Sequence, residues 1–198
     1  DIVKKFGKAN VITATSVFSH VDDLDGFVNG VRELLADDGV FVIEVYYLYE
    51  LLEKNLFDTI YHEHLSYFTA ATMARLMQRL GMQVFDVEET DTHGGSLRVF
   101  AQKSGGQHKV EDSVKKFIAM EAAKRLGEAA TYVKFAEKIG QNKVKLRQLL
   151  QELKSKGKSI VGYGAPAKGN TLLNYFGIGP ETLDYIVDDS PWKQGLYT

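Results

Sequence analysis

Between residues 9 and 45 the chain switches pattern twice, and few architectures accommodate both switches. ANVITATSVF (9–18) is an apolar, β-branched run of strand length, suited to a strand covered on both faces. HVDDLDGFVNGVRELLADDG follows, where Leu24, Phe27, Val28, Val31, Leu34 and Leu35 recur at helical spacing and Asp22 or Asp23 can serve as the cap. The Asp-Asp-Gly at 37–39 is expected to end that helix, and VFVIEV (40–45) reads as a second buried strand. A strand–helix–strand succession predicts a parallel sheet, and so an α/β fold.

Downstream, TAATMARLMQRLGM predicts a helix with Thr69 as its N-cap and Gly81 at its C-terminal end. QVFDVEE and SLRVFAQK are then two strands joined by TDTHGG, a link short enough for an antiparallel pair, which predicts a reversed strand at the sheet edge. SGGQHK reads as a hinge, with His108 in solvent. Residues 109–156 are strongly helical, with Val114, Phe117, Ile118, Leu126, Val133, Ala136, Val144, Leu150 and Leu153 on one stripe and Gly-Gln-Asn at 140–142 as the expected break. The last segment reads as strand, Gly-rich loop, helix and strand, the start of a second α/β unit. The expected division is residues 1–105 and 106–198.

Composition narrows the function. A formal charge of −2 leaves no basic excess to neutralise phosphates, which speaks against nucleic acid and membrane surfaces as partners. With no cysteine there is neither a disulfide nor a thiolate zinc site in this chain. No apolar run approaches the roughly 20 residues that span a bilayer, and no signal peptide is visible, so a cytoplasmic location is expected. The chain starts without Met on what reads as a helix tail, which suggests a piece of a longer polypeptide.

Three stretches carry chemistry. In GYGAPAKGN, Gly162, Gly164 and Gly169 lie between a strand and a helix, so backbone N–H groups and the helix N-terminus can meet an anion, with Lys168 adding a full charge. The spacing is neither GxGxxG nor that of a P-loop, so neither nicotinamide binding nor ATP hydrolysis is implied; tight helix-on-strand packing is the alternative. In DTIYHEHLSYF, His62, Glu63 and His64 are all metal-ligand types, but HExxH is absent and histidines two apart do not share a helical face. Burial among aromatics would also account for them. General acid–base chemistry is favoured: in a helical turn Tyr61 and His64 face the same way, and a histidine beside a phenol suits proton abstraction and stabilisation of the resulting oxyanion. THGGS places His93 in a loop that is either a hairpin link or a substrate loop. His20 follows the first strand, where ligands gather in open parallel sheets, though a surface capping role is equally open. Asp188 and Asp189 follow the last strand, as a cap or as ligand contacts.

Taken in order, ITATSVFSHVDDLDGFVNGVRELLADDGVFVIEVYYL, FDTIYHEHLSYF, THGGSLRVFA and GYGAPAKGNTLLNYFGI resemble the S-adenosylmethionine-dependent C-methyltransferases that act on dTDP-4-keto-6-deoxy sugars. The resemblance runs over essentially the whole chain. It implies the second half of a Rossmann-like methyltransferase sheet, then long helices and an incomplete C-terminal Rossmann-like unit, with zinc expected only in a Cys-rich head that this chain lacks. It also implies that the strands bearing the main cofactor loop lie outside the chain. By that resemblance His64 is the general base, Tyr61, Glu63 and His20 share its site, and Ala14, Thr15 and Ser16 border S-adenosylmethionine. His93 would close over the sugar, and Tyr163, Ala165 and Lys168 would face the nucleotide diphosphate. Tyr46 departs from the pattern, standing where a proline or histidine is expected. A non-catalytic nucleotide-binding module and an epimerase using the same base are the rival readings.

Overall fold

The structure is a computed structural model and describes residues 2–197. The chain forms two compact units, one of residues 1–54 and 63–129, the other of 55–62 and 130–198. These compact units divide at 129/130, and the short segment 55–62 belongs to the second.

The first unit opens with α1 (Ile2–Phe6) and β1 (Ala9–Thr15), followed by α2 (Leu24–Leu34) and β2 (Leu35–Tyr46). Asp23 caps α2, accepting the Gly26 N–H at 2.8 Å. β1 and β2 are parallel, as the pattern requires, with Val11 to Thr15 opposite Val40 to Glu44. The Asp-Asp-Gly at 37–39 is not a helix end. The helix stops at Leu34 and these residues lie in the irregular first part of β2, where the register shifts. β1 is a sheet edge and keeps only Ala14 buried, with Val11 60% exposed, so the expectation of cover on both faces does not hold for the described residues.

Next come α3 (Leu48–Glu53), α4 (Ala70–Arg79), β3 (Met82–Thr90), β4 (Ser96–Lys103) and α5 (Asp112–Ala123). The sheet order is β1-β2-β4-β3, with β4 antiparallel to both neighbours. The reversed strand is thus interior, not at the edge: a five-residue link returns the chain beside β3, and β4 fills the place next to β2. Alternating residues of β2 and β4 (Phe41, Ile43, Val45; Leu97, Val99, Ala101) form one buried face. Val28 and Val31 of α2, Met73 and Met77 of α4 and Val114 of α5 belong to the same core. Each large apolar side chain buried there contributes about 1.5–3 kcal/mol. Gly81, at φ +73°, follows α4 in the left-handed conformation a helix end favours.

The second unit contains α6 (Ala129–Ser155), β5 (Val161–Tyr163), α7 (Ala167–Phe176) and β6 (Tyr185–Val187), with β5 and β6 parallel. The helical region does break, but at 124–128, where Arg125 adopts φ +59°. Gly-Gln-Asn at 140–142 lies inside an unbroken α6. The inward stripe of α6 is the buried Ile139 with the half-buried Phe135, Leu146 and Leu150, packed with Leu172, Leu173, Phe176 and Ile178, whereas Val133 and Val144 are exposed. Phe57 of the 55–62 segment stacks on Phe176 with ring centroids 5.2 Å apart, which makes that segment part of this core.

Candidate active site

The carboxyl ends of β1, β2 and β3 and the amino end of β4 lie along one side of the first unit's sheet, where open α/β sheets bind ligands. β1 is followed by a turn of 3₁₀ helix, Phe18–His20, whose Ser19 is buried. The Ser19 carbonyl accepts from the Leu65 N–H at 2.9 Å and the Ser66 N–H at 3.3 Å, tying this turn to the residues after His64. The bond brings the His20 and His64 rings to 4.9 Å, edge to face. Tyr46, the last residue of β2, lies 4.9 Å from His64 and 5.6 Å from His93. The structure therefore assembles His20, His64, Tyr46 and His93 into a continuous run of rings. His64 is buried at 7% exposure, while His20 and His93 are exposed.

Other expected residues are held by different segments of the chain. The backbone over 61–63 is a bend and turn, not helix or strand. Tyr61 and His62 belong to the second unit, with their rings 6.0 Å apart. Glu63 is exposed. Among the described residues no three His, Asp or Glu side chains are grouped to hold a metal ion. Ala14 is buried and Thr15 and Ser16 are exposed at the end of β1; the Ser16 N–H donates to the Glu44 carbonyl at 3.0 Å, with Ser16 at φ +54°.

The THGGS turn has a packing explanation that spacing does not reveal. Lys54 donates to the Gly94 carbonyl at 2.8 Å and pairs with Glu50 at 2.5 Å. A Cβ on Gly95 would fall 2.6 Å from Glu50 Cγ, and Gly95 sits at φ +135°. Burial, then the neighbouring Glu50 carboxylate, raises the Glu89 carboxyl above its usual range. His93 itself, at φ +54°, is held left-handed at the turn's apex. Gly95→Ala is expected to lower stability by about 2 kcal/mol through overpacking and strain, read from urea unfolding. Wild-type stability in that variant would remove the packing role.

In the second unit, Gly164 at φ +86° makes the turn out of β5, and Pro166 precedes α7. The Ala165 N–H donates to Asp188 Oδ2 at 2.7 Å, and the Tyr163 hydroxyl donates to Asp189 Oδ2 at 2.8 Å. Donation from the Ala165 and Ser190 N–H groups holds the Asp188 carboxyl below its usual range, and the Asp189 contact raises the Tyr163 phenol. Tyr163 is exposed and Lys168 half-buried on the first turn of α7. The loop does direct an amide at an anionic oxygen, and that oxygen belongs to the chain itself.

Sequence reasoning passes over Ser19 and places His108 in solvent. His108 stacks on Phe85 at 4.6 Å, because its backbone is held in a loop by both ends of the Gln102 amide. Tyr46 is legible: the rule that marks His20 at the end of one parallel strand applies equally to the end of the next. Among the described residues no helix is long and apolar enough to cross a membrane.

Comparison with known proteins identifies the relatives of the chain. The chain is 38% identical over 195 residues to C-methyltransferase NovU of Streptomyces niveus, a match covering 98% of this chain and 46% of that protein, so the chain spans about half its relative's length. Residues 1–87 match a methyltransferase domain family. Among solved structures, a magnesium protoporphyrin IX methyltransferase from Synechocystis PCC 6803 with bound SAH is 14% identical, with a TM-score of 0.38 over 52% of this chain and 48% of that one. An O-methyltransferase from neocarzinostatin biosynthesis is 18% identical, with a TM-score of 0.35 over 48% and 29% of the two chains. Residues 91–198, more than half of the sequence, match the family described as the C-methyltransferase C-terminal domain, and the chain belongs to that family.

Proposed function

We propose that the full-length protein is an S-adenosylmethionine-dependent C-methyltransferase acting on a carbon next to the ketone of a nucleotide-linked 4-keto-6-deoxy sugar. The observation that carries this reading is the buried His64, set between the His20 and Tyr46 rings at the carboxyl ends of two parallel strands. A carbon beside a ketone becomes a nucleophile only after it loses a proton. His64 takes that proton, and the C–H electron pair moves toward the ketone oxygen to give an enolate. Tyr61 is the donor to that oxygen, and Glu63 and His20 complete the polar surroundings.

S-adenosylmethionine, when bound, supplies the electrophilic methyl group. The residues present suit a border to it: at the end of β1, Thr15 and Ser16 are small, exposed and carry hydroxyls, and the positive φ of Ser16 turns the chain away from the strand end. His93 covers the sugar. In the second unit Tyr163, Ala165 and Lys168 bear on the diphosphate, with Lys168 on the first turn of α7 supplying a positive charge. Acid–base work by one positioned side chain contributes roughly 10²–10⁴-fold.

The mass of the product tests the reaction. Incubation of the full-length protein with S-adenosylmethionine and a dTDP-4-keto-6-deoxy sugar is expected to add the mass of one methylene to the sugar nucleotide. An altered sugar of unchanged mass would mean epimerisation, and binding of dTDP without any turnover would mean a nucleotide-binding module.

A further inference from the structure

We propose that Tyr46 is a positioning residue for His64, holding the imidazole in the orientation that removes the substrate proton and joining it to the turn that carries His93. The inference rests on the reading of His64 as the base. The His64 segment has no regular secondary structure, and the Ser19 bonds to Leu65 and Ser66 fix its backbone but not the plane of its ring. The side chain packs against the Tyr67 ring at 6.4 Å and, closer, against two rings at 4.9 Å, His20 and Tyr46.

Of these two, Tyr46 has the rigid base. It pairs with Ser96 at the end of β2, whereas His20 is exposed on a single 3₁₀ turn. Strand alternation separates the roles of neighbouring tyrosines. Tyr47 is fully buried and its hydroxyl donates to Glu121 at 3.0 Å, while Tyr46 is half-buried and its ring lies against the histidines. The second contact of Tyr46, 5.6 Å to His93, reaches a turn that is itself braced. The Tyr47 N–H donates to the Gly95 carbonyl at 3.2 Å, and Lys54 donates to the Gly94 carbonyl at 2.8 Å. One ring thus spans the base and the turn proposed to cover the sugar.

The test compares Tyr46→Leu, Tyr46→Gln and Tyr46→Phe with His64→Asn in the full-length protein. The readouts are kcat, KM for the sugar nucleotide, the unfolding midpoint, and deuterium exchange next to the ketone with S-adenosylhomocysteine bound. A misplaced catalytic group costs up to about 10²-fold. Tyr46→Leu and Tyr46→Gln are therefore expected to lower kcat and the exchange rate together by roughly ten- to a hundredfold, with KM and the unfolding midpoint little changed. Tyr46→Phe, which keeps the ring, is expected to recover most of that loss. Two nonaromatic variants guard against one that fails to fold. Unchanged exchange in either folded nonaromatic variant overturns the proposal, as does a Tyr46→Phe loss equal to that of Tyr46→Leu, which would put the function in the hydroxyl. A lower kcat matched by a lower unfolding midpoint would mean a purely structural role. If His64→Asn exchanges normally, the base assignment fails and this proposal with it; if His64→Asn abolishes exchange and Tyr46→Leu does not, only the positioning role falls.

Discussion

His64→Asn is expected to lower turnover of the full-length protein by at least about a hundredfold, with binding of the sugar nucleotide changed only a few-fold. Asparagine keeps a polar group of similar reach but cannot take a proton at neutral pH. The loss should therefore fall on kcat and kcat/KM together, the pattern of an interaction made only on the way to the transition state. The surroundings of His64 suit proton abstraction. At 7% exposure the ring is largely removed from water, yet two neighbouring rings and the Ser19 carbonyl bonds hold its loop in place. Turnover within threefold of the parent would remove His64 from the role of base.

The largest stability effect is expected at Glu121. This carboxylate, 3% exposed on α5, accepts the Ala70 N–H at 2.6 Å, the Ala71 N–H at 2.9 Å and the Tyr47 hydroxyl at 3.0 Å. The first turn of α4 has free N–H groups that need partners. Thr69 accepts the Thr72 N–H at 3.1 Å, and Glu121 takes the two before it, so a residue some fifty positions away completes the cap. The positive end of the α4 dipole also favours the carboxylate there. Burial, then the Glu121 charge, pushes the Tyr47 phenol far up, so Tyr47 remains a hydrogen donor to it. Glu121→Ala leaves two backbone donors and a buried hydroxyl unpaired and should cost about 3 kcal/mol or more, since bonds to charged groups contribute roughly 1.5–3 kcal/mol each. Glu121→Gln, which retains one acceptor oxygen without the charge, should lie between the two. Urea unfolding followed by circular dichroism measures both, and a Glu121→Ala cost under about 1 kcal/mol would contradict the capping role.

What is legible in the sequence is what local chemistry decides. The spacing of Leu24 to Leu34 with Asp23 at its head defines α2, and Thr69 with Gly81 bounds α4, because caps and periodicity act within one turn. The family pattern joins His20, His64 and His93 although they lie far apart in the chain. Long-range packing is hidden. Nothing near residue 55 signals that Phe57 will stack on Phe176 and carry Tyr61 into the second unit. The α6 stripe differs from the expected one because the helix runs unbroken through Gly140, whose cost of about 1 kcal/mol is absorbed by 27 helical residues, whereas the true break depends on Arg125 in a left-handed conformation. Gly95 suggests substrate approach, and only the structure shows that Glu50 occupies the space its missing Cβ leaves.

The central claim is that His64 removes a proton from the carbon beside a ketone. Its most direct test is the full-length protein in D₂O with S-adenosylhomocysteine and a dTDP-4-keto-6-deoxy sugar, following by NMR the loss of that proton signal in the parent and in His64→Asn. The account predicts exchange in the parent and none above background in the variant. Equal exchange in both, or none in either, would contradict it.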